Sequence, residues 1–123
     1  MRLLATLPVL LSIGGIAMAG ECDPKPGQKT FTNKCGICHV TEEGAPSTIG
    51  PNLRRVIGRD IGKAAGFPYS EALENAKGQW TESGLNAFIA SPQKVLPGNA
   101  MPFEGLRSEA ERQNLICYLS SLN

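Results

Sequence analysis

The sequence predicts a small all-α domain, and three observations carry that expectation. No stretch alternates apolar and polar residues as a half-buried strand does. Helix-start signals recur at Ser70, at Thr81-Glu82 and at Ser108-Glu109-Ala110-Glu111, the last a capping box. Between them run two long stretches, 41–68 and 91–107, rich in Gly and Pro and without periodicity. The length of 123 residues allows one domain. Three or four modest helices joined by such loops make a thin core on their own.

The elements follow in chain order. Met1-Arg2 is a short positive start, Leu3 to Ile16 is apolar, and Ala17-Met18-Ala19 is an A-x-A cleavage signal. Residues 1–19 therefore read as a secretory signal peptide, which leaves 20–123 as the domain and places it in the periplasm. The apolar run is short for a span of ~20 residues, which argues against a membrane anchor. Glu21 before Cys22 fits a lipidation site poorly. Losing Arg2 leaves eleven Lys and Arg against eleven Asp and Glu. A formally neutral chain lacks the basic excess of a nucleic-acid binder, so any charge-based recognition rests on local patches.

Asp23 is placed to cap the first helix, and Pro24 and Pro26 are tolerated in a first turn. The helix is expected over Gly27 to Cys38, with Phe31 on its inner face. Gly27 costs the helix ~1 kcal/mol relative to alanine. It marks either a close approach by another helix or a frayed first turn. Residues 41–68 form an irregular stretch of the length that goes with a functional loop or disorder; wrapping a large cofactor would account for it. Ser70 caps a short helix through Asn75. Thr81-Glu82 opens another to Ala90, with Leu85, Phe88 and Ile89 as its apolar face, and Pro92 ends it. The final helix starts at Ser108 and turns Leu115, Ile116, Leu119 and Leu122 inward.

The chemistry is concentrated in Cys35-Gly36-Ile37-Cys38-His39. C-x-x-C-H is the signal for covalent haem attachment. Two thiols at that spacing can reach the two vinyl groups on one side of a haem, and the next residue presents an imidazole to the iron. In a helical or near-helical stretch all three project from one face. Cys22 and Cys117 are the remaining cysteines, and in an oxidising compartment a Cys22–Cys117 disulfide is favoured over two free thiols.

The second iron ligand follows from counting. His39 is the only histidine, so two histidines from one chain cannot ligate the iron. Met1 and Met18 leave with the leader, and Met101 remains, in the loop Pro97-Gly98-Asn99-Ala100-Met101-Pro102-Phe103. A lone methionine is usually core filler, but a loop-held one beside Pro102 suits a ligand better. Filled axial positions predict outer-sphere electron transfer and not an enzyme. Two other classes compete: a thiol–disulfide oxidoreductase using Cys35 and Cys38, and a zinc module using Cys35, Cys38, His39 and a further cysteine. The first needs a strand–helix pattern that is absent. The second is cramped, because adjacent Cys38 and His39 rarely serve one tetrahedral ion.

These residues resemble the class I c-type cytochromes, close to mitochondrial cytochrome c and its bacterial periplasmic counterparts. The resemblance runs from about Asp23 to Leu122. Beyond the haem motif it includes Gly50-Pro51-Asn52-Leu53, Gly58-Arg59, Gly66-Phe67-Pro68-Tyr69-Ser70, Trp80, the Met101 loop and Leu115-Ile116-Cys117-Tyr118-Leu119. It implies the small cytochrome c fold, with long loops wrapped around one covalent haem c. The carbonyl of Pro51 is then the acceptor for the second His39 ring nitrogen. Arg59, Tyr69 and Trp80 contact one haem propionate, and Asn99 lies beside the other. Gly27 and Phe31 sit where the first helix crosses the last. Two residues depart from the pattern: Phe88 replaces a tyrosine that reaches the methionine sulfur, and Leu73 replaces an asparagine.

The resemblance also implies a role. The protein would be a monomeric electron carrier of a respiratory or photosynthetic chain, moving electrons from a quinol-oxidising cytochrome bc complex or a dehydrogenase to a terminal oxidase or reaction centre. Lys29, Lys34, Lys94 and Arg107 would form a modest basic rim for docking, with peripheral contacts to membrane complexes only. Gln93 and Ala100 stand at rim positions that are often lysine.

Overall fold

The computed structural model describes residues 22–123; the leader expected at 1–19 and the cleavage point before Gly20 lie outside the described residues. The expected all-α class is what is found. The helices are α1 Pro24–Lys34, α2 Glu71–Glu74, α3 Glu82–Ala90, α4 Pro92–Val95 and α5 Glu109–Ser120. Among the described residues the only extended pairing is an isolated antiparallel bridge between Asp60 and Gln79. No helix among them is long and apolar enough to cross a membrane.

Local chemistry explains the boundaries. Asp23 accepts from the Lys25 N–H, so α1 starts at Pro24, where the missing proline N–H costs nothing. Ser70, Thr81 and Ser108 each accept from a backbone N–H three residues on, at Leu73, Gly84 and Glu111. Two expectations need correction. α1 stops at Lys34 and not at Cys38: the N–H groups of Cys35 and Gly36 both donate to the Phe31 carbonyl, at 2.8 Å each, which closes the helix before the haem motif. And Pro92 does more than end α3. It occupies the first turn of α4, a separate single turn inside the stretch expected to be irregular.

The fold is organised by the crossing of α1 over α5. A Cβ built on Gly27 would overlap the Asn114 carbonyl and lie 2.8 Å from Tyr118 Cβ, so glycine is what permits the crossing. This settles the two readings of Gly27 in favour of close helix approach. Next to it, the Phe31 and Tyr118 rings pack with centroids 5.6 Å apart. A disulfide joins Cys22, just before α1, to Cys117 of α5, with Cα atoms 6.0 Å apart. The Tyr118 hydroxyl pairs with Thr41 Oγ1 at 3.1 Å, tying α5 to the chain just beyond His39.

Val56, Trp80, Leu85, Phe88, Ile89, Leu115 and Leu119 belong to the buried core, and the same seven residues line a cavity. The core is therefore a wall around a space. Each such side chain contributes ~1.5–3 kcal/mol when fully buried, so whatever fills the space completes the stability of the fold.

Candidate haem centre

The haem motif leaves α1 in a tight turn. The N–H groups of Cys38 and His39 donate to the Cys35 carbonyl at 3.0 and 2.9 Å, and Cys35, Cys38 and His39 all line the cavity. Segment 48–53 is stitched onto this turn. The Gly50 N–H and the Thr48 hydroxyl both donate to the Cys38 carbonyl, at 2.7 and 2.9 Å, and the Leu53 N–H donates to the Val40 carbonyl at 2.9 Å. The stitching sets Pro51 beside the histidine. His39 Nδ1 lies 2.8 Å from the Pro51 carbonyl oxygen, which can only accept, so Nδ1 carries the proton and Nε2 keeps its lone pair. Burial lowers the His39 pKa and Arg59 lowers it further, while the Pro51 bond works the other way; the neutral imidazole is the form a metal needs.

The cavity is about 250 Å³ and mostly apolar. Met101 lines it with its backbone held on both sides: its N–H donates to Asn99 Oδ1 at 3.0 Å, and its carbonyl accepts from Phe103 N–H at 2.9 Å. Arg59 and Tyr69 also line it. Arg59 Nη1 donates to the Asn52 carbonyl at 2.9 Å, and the Tyr69 hydroxyl accepts from the Ala64 N–H at 3.1 Å, which leaves the phenolic proton free to donate elsewhere. Trp80 is held by backbone bonds to Gly58 and Arg59 and packs in a tilted pair with Phe88, ring centroids 5.0 Å apart. The residues that depart from the family pattern, Leu73 and Phe88, are both part of the wall.

Asn99 is placed differently. It is buried, but it does not line the cavity. Its Nδ2 donates to the Pro92 and Leu96 carbonyls at 3.0 and 2.8 Å, and its Oδ1 serves Met101. Its side chain is spent on shaping the Met101 loop. Of the four rim cations, Lys34 borders the cavity, while Lys29, Lys94 and Arg107 are exposed outside its lining.

Sequence reasoning overlooked two kinds of site residue. Gly50 packs against the His39 ring: a Cβ there would stand 2.7 Å from Nδ1 and 3.0 Å from Nε2. Leu85, Ile89, Leu115 and Leu119 line the cavity although their spacing marks them only as core, and Leu53 and Val56 line it from a stretch without periodicity. Periodicity shows that a face is buried and not what buries it.

The donor set fits haem c. Cys35 and Cys38 are not disulfide-bonded, burial favours the neutral imidazole, a thioether lines the same cavity, and the walls are apolar. The competing chemistries fare worse. Burial, together with the neighbouring Cys38, pushes the Cys35 thiol up to about 11, the opposite of an activated exchange cysteine. Zinc would need a further cysteine, but Cys22 and Cys117 are bonded to each other. Among the described residues no three His, Cys, Asp or Glu side chains gather as a ligand set.

Comparison with known proteins agrees. The cytochrome c family model matches residues 24–123. A cytochrome c from Chlamydomonas reinhardtii is 47% identical over 103 residues, covering 84% of this chain and 92% of its own. A cytochrome c2 from Rhodoblastus acidophilus is 45% identical over 98 residues, covering 80% and 91%. A cytochrome c from Guizotia abyssinica is 39% identical over 105 residues, covering 85% and 95%. Matches that span almost the whole described domain, on a cavity whose donors suit the same cofactor, place this chain in the cytochrome c family, as an electron carrier with covalently attached haem c.

Proposed function

We propose that this protein is an exported one-electron carrier, not an enzyme, that passes electrons from a quinol-oxidising cytochrome bc complex or a dehydrogenase to a terminal oxidase or photosynthetic reaction centre. The observation that carries the reading is His39. Its Nδ1 is committed to Pro51, its Nε2 is left for a metal, and it shares one apolar cavity with Met101. Bound haem supplies an iron that gains and loses a single electron. Cys35 and Cys38 would hold the group through thioether bonds, and His39 and Met101 would ligate its iron. The soft thioether favours the ferrous state, and the apolar wall disfavours extra positive charge, so both raise the potential. With His39 and Met101 both serving as ligands, the iron would have no position left for a substrate. Arg59, Tyr69 and Trp80 supply donors for a propionate.

Docking takes place at the cavity mouth. Lys34 borders it, Lys29, Lys94 and Arg107 add positive charge, and Ile37 and Ile49 stand 82% and 69% exposed on the two segments that meet at Cys38. A small apolar centre with a thin cationic rim suits brief contacts with acidic partners, the carrier acting as a monomer. The A-x-A segment at 17–19 is what supports export.

Two measurements test this. The reduced protein should show a sharp α-band, and its haem should survive acid–acetone extraction; colourless protein or extractable haem refutes the site. Reduction by isolated membranes of the source organism should slow as salt rises. Rates that stay flat across ionic strength refute electrostatic docking.

A further inference from the structure

The loop that carries Met101 is gripped from two sides by side-chain amides. From inside, Asn99 bonds the Pro92 and Leu96 carbonyls and the Met101 N–H. From outside, Gln93 on α4 reaches over the same loop. Its Nε2 donates to the Asn99 carbonyl at 2.9 Å, and its Oε1 accepts from the Gly98 N–H at 3.2 Å. Both ends of the Gln93 side chain are thus committed to the two residues at the crown of the loop. The anchor is firm, because Pro92, the residue before Gln93, is among the most deeply buried in the molecule.

A carboxamide makes this pair of bonds because it offers a donor and an acceptor on one planar group. A lysine offers donors alone, and a carboxylate acceptors alone. From this geometry we infer that Gln93 is a positioning residue for the axial methionine: with Asn99 it forms a clasp that keeps the 96–101 loop closed and resists withdrawal of Met101 from the iron. The inference rests on the reading of Met101 as ligand and extends it to what holds the ligand in place. It also gives Gln93 a task that a docking cation at the same place could not perform. The rim gives up a positive charge there, and the ligand loop gains a lock.

The clasp predicts how easily another ligand displaces Met101. An added ligand must wait for the loop to open, so its apparent affinity scales with the open population. Two hydrogen bonds of ordinary net strength set that population by about ten-fold. The test uses the ferric holoprotein and imidazole as the probe, following loss of the methionine–iron charge-transfer band. Gln93→Ala loses both bonds and should raise imidazole affinity about ten-fold. Gln93→Lys keeps a donor but loses the acceptor, Gln93→Glu keeps the acceptor but loses the donor, and each should fall between Gln93→Ala and the parent. Lys94→Ala, on the same short helix, should match the parent.

Amide hydrogen exchange separates a local effect from a general one. In Gln93→Ala the Gly98 and Met101 amides should lose protection, while those of Leu115 and Leu119 in α5 keep theirs. Imidazole affinity within two-fold of the parent overturns the inference, and so does an equal loss of protection in α5. A parent protein without the methionine–iron band overturns the ligand assignment itself, and the clasp's role with it; loss of the band's resistance in the variants alone concerns only the clasp.

Discussion

Removing the disulfide should cost this protein a large part of its stability without touching its redox site. The bond links residues 95 positions apart, from the entry of α1 to the last third of α5. Closing a loop of that length in the unfolded chain is worth ~4.7 kcal/mol on the chain-entropy model. Residual structure in the unfolded ensemble lowers that to the ~2–4 kcal/mol usually observed. Cys117 is 7% exposed, so replacing it with alanine leaves a small void worth ~1 kcal/mol more. The double variant Cys22→Ala with Cys117→Ala is therefore expected to lose about 4 kcal/mol, or on the order of a thousand-fold in the unfolding constant. Guanidinium unfolding followed by backbone circular dichroism measures it. Wild type treated with reductant should lose slightly less, because its Cys117 sulfur stays in the core. Neither cysteine lines the cavity, so the visible spectrum and reduction potential of the folded variant should equal those of wild type. A loss below about 1 kcal/mol would show that α1 and α5 dock as well without the clamp.

Three other outcomes follow from the site. Gly50→Ala should drive a methyl group into the His39 ring, turn the ring off the Pro51 carbonyl and cost about 2 kcal/mol of stability; an unchanged ferric spectrum and unfolding midpoint would show that the contact is slack. Arg59→Gln removes a half-buried cation from the cavity wall, where it opposes the ferric charge, so voltammetry should find the potential lowered by tens of millivolts; a rise would mean that Arg59 does not face the iron's field. Glu43 is held below the usual carboxylate range, first by its 2.6 Å hydrogen bond from Arg55; its Oε2 also lies 2.6 Å from Arg54 Nε, although that N–H is not aligned to bond. The stability this confers is complete above the ordinary carboxylate pKa and disappears as pH falls through the depressed folded value. Glu43→Gln should thus be less stable than wild type at neutral pH and converge with it in acid; a gap that widens in acid contradicts the pairing.

Much of this molecule is legible before any coordinates. Caps at Ser70, Thr81 and Ser108 are local hydrogen-bond chemistry, and they place three helix starts correctly. The end of α1 is less legible, because Cys35 and Gly36 leave the helix by sharing one carbonyl, and no residue type announces that. Pro92 is ambiguous for a physical reason: the ring that cannot continue a helix is the same ring that suits the first turn of the next one. The bonds of Asn99 are not legible in the sequence, because a buried amide bonds whichever partners come nearest, and here those are the carbonyls of its own loop.

Residue identity alone carries the chemistry: which thiols can anchor a haem, that one imidazole is available to hold iron, and that the chain is helical. Those facts depend on residue identity and on neighbours a few positions away. Long-range packing is what brings His39 and Met101 to one cavity, sets the Pro51 carbonyl against the His39 ring, lets α5 pass at Gly27, and closes Gln93 and Asn99 on the Met101 loop. Each of these is a contact between separately folded segments. Its sign and strength depend on distances of a few tenths of an ångström that no local pattern encodes.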